Sequence, residues 1–354
     1  MRTIIKKITD EFNTTNNEII GMAADVIRRG GLVAFPTETV YGLGGDAFDA
    51  TAATRIYEAK GRPSDNPLII HISDVKDLER VCDEVPQEAY LLADKFWPGP
   101  LTIVLKKNNK VPMSVTGGLN TVAVRLPSHP VARAIIAESG TLIAAPSANL
   151  SGRPSPTVGS HVAEDLDGRI DMIIDAGDIE IGLESTIVDL TGEVPMILRP
   201  GYVTKEMLSE VLGCVEMDPA IMSGVKADVA PKAPGMKYRH YAPKAELVIV
   251  KGDNQKVISK MQELLREGIK NGQKVGIMTT EENVGAFSEG MVVCLGKSSD
   301  GNEIARHLFA ALRRFDELQV DVIYSEAFME EGIGQAIMNR LQKAAGHKVL
   351  KVMS

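Results

Sequence analysis

Apolar residues recur along this chain in two alternating periods, one typical of helices and one typical of strands. Glu18–Arg29 has apolar side chains three and four positions apart, as on one face of a helix. The short apolar runs Leu32–Phe35 and Leu68–Ile72 are typical of buried strands. The same criteria predict strands at Leu101–Leu105, Val122–Leu126, Leu142–Ala145, Met172–Asp175, Ser185–Leu190 and Met196–Leu198, and helices at Ala50–Ala59, Glu88–Phe96, Pro130–Glu138 and Val203–Leu212.

The regular pattern ends after about Leu212. Residues 216–244 have no sustained period and contain four prolines. Tyrosines and cations concentrate in Met236–Tyr241, unlike the composition of a Gly/Ser-rich or plainly Pro-rich linker. We therefore predict a linker at residues 206–244 that lies down against another surface.

Beyond the linker, strands and helices alternate more regularly. Strands are predicted at Leu247–Val250, Val275–Met278, Met291–Cys294 and Val320–Tyr324, and helices at Lys256–Gly268, Asn302–Leu318 and Gln335–Ala345. This alternation indicates a small Rossmann-like α/β domain with a largely parallel sheet at residues 245–354. In residues 12–205 several strands follow one another without a helix, which favours a twisted mixed sheet flanked by helices. The predicted fold is α/β with two domains.

Composition excludes some classes of protein. No run approaches the roughly 18–20 uncharged apolar residues of a membrane span, and the N-terminal apolar stretch is too short for a signal peptide. The three widely separated cysteines, Cys82, Cys214 and Cys294, argue against a zinc site or disulfide framework and favour the cytoplasm. The net charge of -8 argues against non-specific coating of nucleic acid, although a local basic groove remains compatible with it.

Common catalytic motifs are absent from the chain. There is no P-loop, and Gly42-Leu43-Gly44-Gly45 does not match the dinucleotide-binding pattern. There is no HExxH, no clustered His or Cys spacing and no GxSxG elbow, so we predict no metal held by protein side chains. A chain that handles phosphate with these residues needs a different scaffold.

Two dense polar turns adjoin the first two predicted strands. Pro36–Thr39 follows one of them, and Lys60–Pro67 precedes the other. Lys60 and Arg62 lie in the second of these turns, which contains two prolines. The lysine ammonium is a point charge and the arginine guanidinium is a planar fork of donors, and both suit the binding of an anion. The alternative is a strand-edge loop that is basic by chance. His71, beside an apolar strand, is either a structural residue or a ligand.

Further predicted strands end in hydroxyl, amide or cationic residues. Arg125 lies within an apolar strand, Ser147–Asn149 follow another, Ser185 begins a third and Arg199 precedes a Pro-Gly turn. Each of these residues could bind a ligand, but each also has a purely structural explanation: Arg125 could point to solvent, and the others could belong to polar turns or caps. No nucleophile–base pair is evident, which favours catalysis by positioning and charge neutralisation. The four cations that would clamp a polyphosphate on one concave face are Lys60, Arg62, Arg125 and Arg199.

Seven segments resemble the YrdC family of threonylcarbamoyl-AMP synthases. In chain order they are FPTETVYGLG, KGRPSDNPLIIHI, FWPGPLTIVL, VAVRLPSHP, APSANLSGRPSPT, ESTIVDL and ILRPG. Their common order across residues 12–205 makes the resemblance specific. The linker APGMKYRHYAPKAEL and the following α/β region are similar to the long, two-domain form of the enzyme.

The resemblance implies a nucleotidyltransferase that makes L-threonylcarbamoyladenylate and pyrophosphate. Its substrates would be L-threonine, bicarbonate or carbon dioxide, and ATP with Mg²⁺ bound through the ATP. The product would pass to a transferase complex that modifies adenosine beside the anticodon of certain tRNAs. We also predict a cytoplasmic protein without a membrane partner, and the sequence leaves open whether it binds tRNA directly and weakly.

The resemblance also implies roles for single residues. Lys60, Arg62 and Arg125 would be the catalytic cations. The threonine pocket would consist of Thr39, His71, Arg125, Ala145 and Ser185, with Arg125 paired to the amino-acid carboxylate. The ATP contacts would be Lys60, Arg62, Asn66, Thr121, Ser147, Asn149, Ser155, Arg199 and Tyr238. Tyr238 would close over the nucleotide as a lid, with His240 and Tyr241 as alternatives for that contact.

Two other functions compete with this assignment. A concave basic face could bind double-stranded RNA or tRNA without catalysis, although the acidic net charge weakens that hypothesis. The catalytic segment also resembles the YrdC-like domain of hydrogenase-maturation carbamoyl transferases. The acylphosphatase and zinc-finger regions of those proteins are absent here, which disfavours the second alternative.

Overall fold

The predicted elements assemble into two units in a computed structural model, which describes residues 2–9, 14–223, 233–234 and 240–352. The first unit comprises Met1–Ser151 and Ser155–Lys237, and the second comprises Gly152–Pro154 and Tyr238–Ser354. Much of the predicted 206–244 linker therefore lies in the first unit. Within the described ranges, no helix is both long and apolar enough to cross a membrane.

The first unit contains one sheet of eleven strands. They are β1 (Ile4–Lys7), β2 (Val33–Phe35), β3 (Gly42–Asp46), β4 (Ile69–His71), β5 (Leu101–Lys106), β6 (Thr121–Arg125), β7 (Ile143–Ala145), β8 (Met172–Asp175), β9 (Thr186–Asp189), β10 (Met196–Arg199) and β11 (Glu216–Met217). Their order in the sheet is β1-β8-β2-β3-β7-β4-β6-β5-β9-β10-β11. Parallel and antiparallel pairs occur together, which confirms the predicted mixed sheet.

Helices pack on both faces of this sheet. They are α1 (Thr14–Arg28), α2 (Ala50–Lys60), α3 (Leu78–Val81), α4 (Gln87–Phe96), α5 (Pro130–Ser139), α6 (Gly159–Leu166), α7 (Lys205–Leu212) and α8 (Ala220–Ser223). Apolar residues of α1 and α5 pack with Phe35 and Ala145 on one face. Residues of α2 and α4 pack with Ala34 and Ile70 on the other. Successive residues of one strand thus enter different cores, as the pleat requires.

A smaller apolar cluster continues the α1/α5 face across the sheet. Ile69 lies opposite Ala145 in the strand register and therefore faces the same side. Ala233 is fully buried in this cluster, although it comes from the segment that follows α8. We call this group the cover cluster; its buried members are Ile69, Val104, Ala123, Ile187, Leu198 and Ala233.

The second unit contains a five-stranded sheet in which every strand is parallel to its neighbours. Its strands are β12 (Glu246–Lys251), β13 (Val275–Thr279), β14 (Met291–Cys294), β15 (Val322–Glu326) and β16 (Val349–Lys351), in the order β14-β13-β15-β12-β16. Its helices are α9 (Asn254–Lys270), α10 (Glu281–Val284), α11 (Gly301–Glu317) and α12 (Gly334–Ala344). The Rossmann-like expectation is confirmed.

Six of the elements named above for the first unit were not predicted. They are β1, β3, α3, α6, β11 and α8, of which β11 and α8 lie within the predicted linker. β3 contains Gly42, Gly44 and Gly45, which local preference disfavours in a strand. The structure gives the reason for Gly44: a Cβ there would lie 2.4 Å from Ile143 Cγ2 and 2.6 Å from Phe35 Cε1. Tertiary packing thus overrides propensity at this strand.

Candidate active site

Strand order brings most of the predicted threonine-pocket residues to one face of the first unit. β7, β4, β6, β5, β9 and β10 are consecutive neighbours in the sheet. In that register His71 pairs with Arg125 and Ile69 pairs with Ala145. Since side chains two residues apart share a face, His71 and Arg125 lie on the same side as the cover cluster. Residues distant in sequence therefore meet beside that cluster.

Arg125 is the centre of a buried polar group. Its Nη2 lies 2.7 Å from Glu38 Oε1, with both side chains about 95% buried. Its Nη1 donates to Thr39 Oγ1 at 2.9 Å, and its Nε donates to the backbone oxygen of Gly99 at 3.3 Å. Thr39 Oγ1 in turn lies 2.9 Å from Thr37 Oγ1. The guanidinium is thus fixed by groups on three sides, which gives it a defined orientation for a ligand.

Glu38 remains a carboxylate in this buried position. Burial alone would raise the pKa of Glu38, but the charge of Arg125 and its hydrogen bonding outweigh burial and lower that pKa below its usual range. The pair therefore places one negative and one positive charge side by side among apolar strands. A ligand that met this pair would find both signs of charge within a few ångströms.

His71 is held as a neutral imidazole. Burial, together with the nearby Arg125 charge, lowers the pKa of His71 to about 3. Its Nδ1 lies 3.1 Å from the backbone oxygen of Ile69, and its ring meets Phe35 edge-on at 6.3 Å between centroids. At neutral pH the ring can position a substrate or exchange hydrogen bonds, but it brings no charge.

The lowered pKa of His71 makes stability depend on pH in a defined direction. The unfolded chain takes up a proton near pH 6.5, whereas the folded chain does so only near pH 3. Stability is therefore complete above pH 6.5 and falls as pH drops below it. Between pH 7 and pH 5 the wild type should lose about 2 kcal/mol more unfolding free energy than His71→Gln in urea titrations. Equal pH slopes for both proteins would contradict a neutral buried His71.

A second polar group lies at the start of β9. Thr102 Oγ1 and Ser185 Oγ are 2.7 Å apart, and Arg199 donates to the backbone oxygen of Ser185 at 3.0 Å and to its Oγ at 3.2 Å. Arg199 Nη1 also donates to the backbone oxygen of Pro234 at 3.4 Å. The segment that contributes Ala233 to the cover cluster thus also contacts Arg199, a residue predicted to bind ATP.

Lys60 belongs to a third group, around the turn that follows β7. Its ammonium donates to the backbone oxygens of Ser147 and Asn149 and lies 3.3 Å from Asn149 Oδ1. Ser147 Oγ donates to the same Asn149 Oδ1. Lys60 is buried, at 3% exposure. The structure therefore brings together Lys60, Ser147 and Asn149 of the predicted ATP set, with the lysine charge oriented by carbonyl oxygens.

Arg62 and Asn66 lie in the same turn at the end of α2. Arg62 Nη2 donates at 3.0 Å to the backbone oxygens of Asn66 and Pro67. Arg62 lines a cavity of ≈ 800 Å³ with Tyr57 and Ser114. The Asn66 amide is 1% exposed, and neither of its polar atoms has a hydrogen-bond partner among the described residues. Such an unsatisfied amide is costly unless a ligand completes it, consistent with the predicted ATP contact.

The remaining predicted residues are more scattered. Ser155 is buried and donates to Glu184 Oε1. Thr121 begins β6 and is half-buried. Tyr238 lies outside the described residues. Tyr241 was the alternative to Tyr238 for the nucleotide contact. Its ring is buried in the second unit and stacks on Phe309, with 5.0 Å between the ring centroids.

Four buried polar residues of these groups were not assigned a role from the sequence. They are Thr37, Glu38, Thr102 and Glu184. Glu38 directly precedes Thr39 in FPTETVYGLG, and Glu184 directly precedes Ser185 in ESTIVDL. Glu38 could have been found from charge balance, because a buried arginine such as Arg125 needs a buried carboxylate as its partner. Thr102, inside an apolar strand, carried no such signal.

The carboxylates near the site are candidate ligands for Mg²⁺, which prefers oxygen ligands in octahedral geometry. Among the described residues no group of three or more His, Cys, Asp or Glu side chains is arranged to hold a metal ion. The carboxylate of Glu38 is paired with Arg125, and that of Glu184 accepts from Ser155. These two carboxylates are therefore engaged by side chains of the chain itself.

Comparison with protein families assigns both parts of the chain. A Sua5–YciO–YrdC family model, described as telomere recombination, matches residues 25–201. A second model, described as the C-terminal domain of threonylcarbamoyl-AMP synthase, matches residues 203–346. The two matches together span most of the chain and fall on either side of residue 202.

Individual relatives match over nearly their whole length. The threonylcarbamoyl-AMP synthase of Pyrococcus abyssi is 52% identical over 94% of this chain and 96% of its own. That of Bacillus subtilis is 48% identical over 97% of both chains. The crystal structure of P. abyssi Sua5 complexed with L-threonine superimposes with a TM-score of 0.93 at 50% identity, covering 99% of this chain and all of that one.

Proposed function

Since the chain belongs to the Sua5–YciO–YrdC family of threonylcarbamoyl-AMP synthases, which are nucleotidyltransferases, we propose a specific way in which its site makes threonylcarbamoyl-AMP from L-threonine, bicarbonate or carbon dioxide, and ATP. The observation that carries the proposal is the buried ion pair of Arg125 and Glu38 beside Thr39. A zwitterionic amino acid carries the complementary two charges at a similar spacing. We assign the threonine pocket to Thr39, His71, Arg125, Ala145 and Ser185.

In this proposal Arg125 holds the threonine carboxylate. Its guanidinium is oriented by Thr39 and the Gly99 backbone oxygen, so it can present a fixed face to a carboxylate. Glu38 keeps the region electrically balanced before the substrate arrives. The neutral His71 and the Ser185 hydroxyl supply hydrogen bonds without adding charge near the reacting amine.

The chemistry then requires alignment more than a protein nucleophile. The threonine amine adds to carbon dioxide and loses a proton, which gives a carbamate. A carbamate oxygen attacks the α-phosphorus of ATP, forming a P–O bond as the bond to the departing pyrophosphate breaks. Cations placed around the phosphates stabilise the charge in that transition state. We assign this role to Lys60, Arg62 and Arg199, with Asn66, Thr121, Ser147, Asn149 and Ser155 as further ATP contacts and Tyr238 as lid.

Mg²⁺, if it is carried in on the ATP phosphates, supplies further charge neutralisation. The chain's own contribution is to hold the phosphates: Lys60 is oriented by the Ser147 and Asn149 carbonyls, and Arg199 by Ser185. The cover cluster, with Ala233 buried against Ile187 and Leu198, keeps water from the adjacent sheet face. Exclusion of water protects the carbamate and strengthens each of these charge contacts.

Purified protein with L-threonine, bicarbonate and α-labelled ATP should yield labelled threonylcarbamoyl-AMP and one equivalent of pyrophosphate. Omitting threonine should remove both products together, because the carbamate is the nucleophile. The matched control replaces L-threonine by D-threonine, whose groups have the mirror-image arrangement, and we expect it to give little product. A non-catalytic RNA-binding protein would form no adenylate under any of these conditions, and that result would refute the proposal.

The further fate of the product follows from its reactivity. A mixed anhydride of a carbamate and AMP transfers its acyl group readily, so we propose that a tRNA-modifying transferase consumes it. We also propose that the reaction takes place in the cytoplasm, where ATP and tRNA are both present. Pull-down of the transferase subunits, or transfer of labelled threonine to tRNA in a reconstituted system, tests this assignment.

A further inference from the structure

The second unit has a crevice where ligands commonly bind in folds of its class. The connection from β12 leads through α9 towards β13, and the connection from β15 leads through α12 towards β16 on the opposite side. β12 and β15 are adjacent and parallel. Their carboxyl ends therefore form the topological switch point of the sheet, outside which open α/β sheets bind their ligands.

A cavity of ≈ 300 Å³ occupies this switch point. Its residues come from the carboxyl ends of the two strands, from the segments that follow them and from the first turn of α9. Val250, Val257 and Phe328 supply apolar surface, while charged side chains are contributed by both segments. A cavity of this volume lies at the small end of the range for ligand pockets, so it suits a compound of amino-acid size. The lining residues are Val250, Lys251, Gly252, Asn254, Val257, Glu326, Ala327, Phe328 and Glu330.

Glu326, at the end of β15, is a buried carboxylate held only by neutral donors. Its Oε1 accepts from Thr279 Oγ1 at 2.6 Å and from Thr280 at its backbone nitrogen (2.7 Å) and Oγ1 (3.2 Å). Its Oε2 accepts from Asn283 Nδ2 at 2.9 Å. Asn283 and Asn254 hydrogen-bond each other, which links this network to the cavity wall.

Glu326 forms no ion pair within the described part of the second unit. The side chain is 7% exposed, and none of the ion pairs among the described residues includes it. A buried charge without an opposite charge is costly even when it is well hydrogen-bonded. Oε2, with one donor, keeps capacity for a second. The cost of the buried charge and the spare acceptor capacity of Oε2 both indicate that Glu326 binds a cationic group of a ligand.

A positive charge stands at the mouth of the same cavity. Lys251 Nζ forms an ion pair of 2.6 Å with Glu330 Oε1, which joins the end of β12 to the segment after β15. The two side chains are 44% and 51% exposed, so this pair contributes little stability and exchanges partners easily. The crevice therefore has a negative group inside and an exchangeable positive group at its rim.

We propose that this crevice binds a small α-amino acid with an apolar side chain. The ammonium group pairs with Glu326, and the carboxylate takes the place of Glu330 beside Lys251. The side chain packs against Val250, Val257 and Phe328. The site belongs to the second unit alone, and the proposal is independent of the assignment of the threonine pocket.

Calorimetric titration of the full-length protein, saturated with L-threonine, tests the proposal with L-valine, L-leucine, L-methionine and L-phenylalanine as probes. At least one should bind with a dissociation constant in the millimolar range or below. For leucine, the matched probe 4-methylpentanoate lacks only the ammonium group and should bind about tenfold more weakly or worse. Failure of all four amino acids to bind would overturn the proposal.

Two variants locate the binding. Glu326→Gln keeps the shape and the acceptor oxygen and should weaken amino-acid binding about tenfold or more. Glu330→Gln removes the same charge from the same cavity but frees Lys251, so binding should be unchanged or tighter. Equal affinities in both variants would overturn the proposal. If Glu326→Gln fails to fold, the comparison of leucine with 4-methylpentanoate on the unmodified protein still decides the question.

Discussion

Replacing Arg125 by alanine should lower threonine-dependent pyrophosphate formation by about a hundredfold or more. The variant loses the group that orients the amino-acid carboxylate, together with contacts to Glu38, Thr39 and the Gly99 backbone. It should also unfold more easily, by about 3–5 kcal/mol, because Glu38 is left as a buried charge without a partner. Steady-state kinetics and urea unfolding measure the two effects separately.

A double variant separates these two effects. Arg125→Met combined with Glu38→Gln removes both charges, so the unfolding free energy should return close to that of the wild type. Activity should remain as low as in Arg125→Ala, because the carboxylate ligand is still missing. Near-normal turnover in the double variant would show that Arg125 is a structural residue, and the proposed threonine pocket would then be wrong.

Deleting residues 228–354 should lower activity by about tenfold or more even though all strands of the first unit remain. The deletion removes Ala233, which is buried against Ile187 and Leu198, and the Pro234 oxygen that accepts from Arg199. The sheet face beside the site would then admit water, which weakens charge contacts and hydrolyses reactive intermediates. Product formation by the truncated protein, normalised to its folded fraction, is the measurement.

A second truncation provides the matched control. Deleting only residues 240–354 retains Ala233 and Pro234, so it should preserve more activity than the longer deletion if the cover cluster is what matters. Equal losses in the two truncations would assign the effect to the second unit instead. Full activity after the longer deletion would show that neither part is needed for catalysis.

Periodicity predicted the architecture well where local and tertiary preferences agree. α9 and α11 begin after Asp253 and Asp300, whose side chains cap the first turn, and both helices were located from their apolar spacing. β3 was not predicted, because its glycines disfavour a strand locally. Gly44 is required there since Phe35 and Ile143 leave no room for a Cβ atom, and this long-range contact cannot be seen in the local sequence. The glycine there allows close strand packing, not a turn.

The positions of several candidate-site residues on the predicted strands could be inferred from the sequence, but the way in which those residues group together could not. Strand position identified Arg125 and His71, and strand alternation places both on the cover-cluster face. Their partners depend on sheet order, which joins Thr39, from the turn after β2, to Arg125 of β6. Sequence reasoning placed Lys60 and Arg62 in one clamp; their hydrogen bonds are instead made to the turn after β7 and to the Asn66–Pro67 backbone, respectively.

The pairing of β1 with β8 has a consequence for synthesis on the ribosome. Ile4 pairs with Met172, so the first strand emerges long before its neighbour exists. At ordinary translation rates the wait is on the order of ten seconds. Ala233 is made later still, so a nascent chain leaves the sheet face of the cover cluster uncovered until almost two thirds of the protein has been translated. Chaperone binding or slow codons in this interval would affect the yield of this protein more than its final stability.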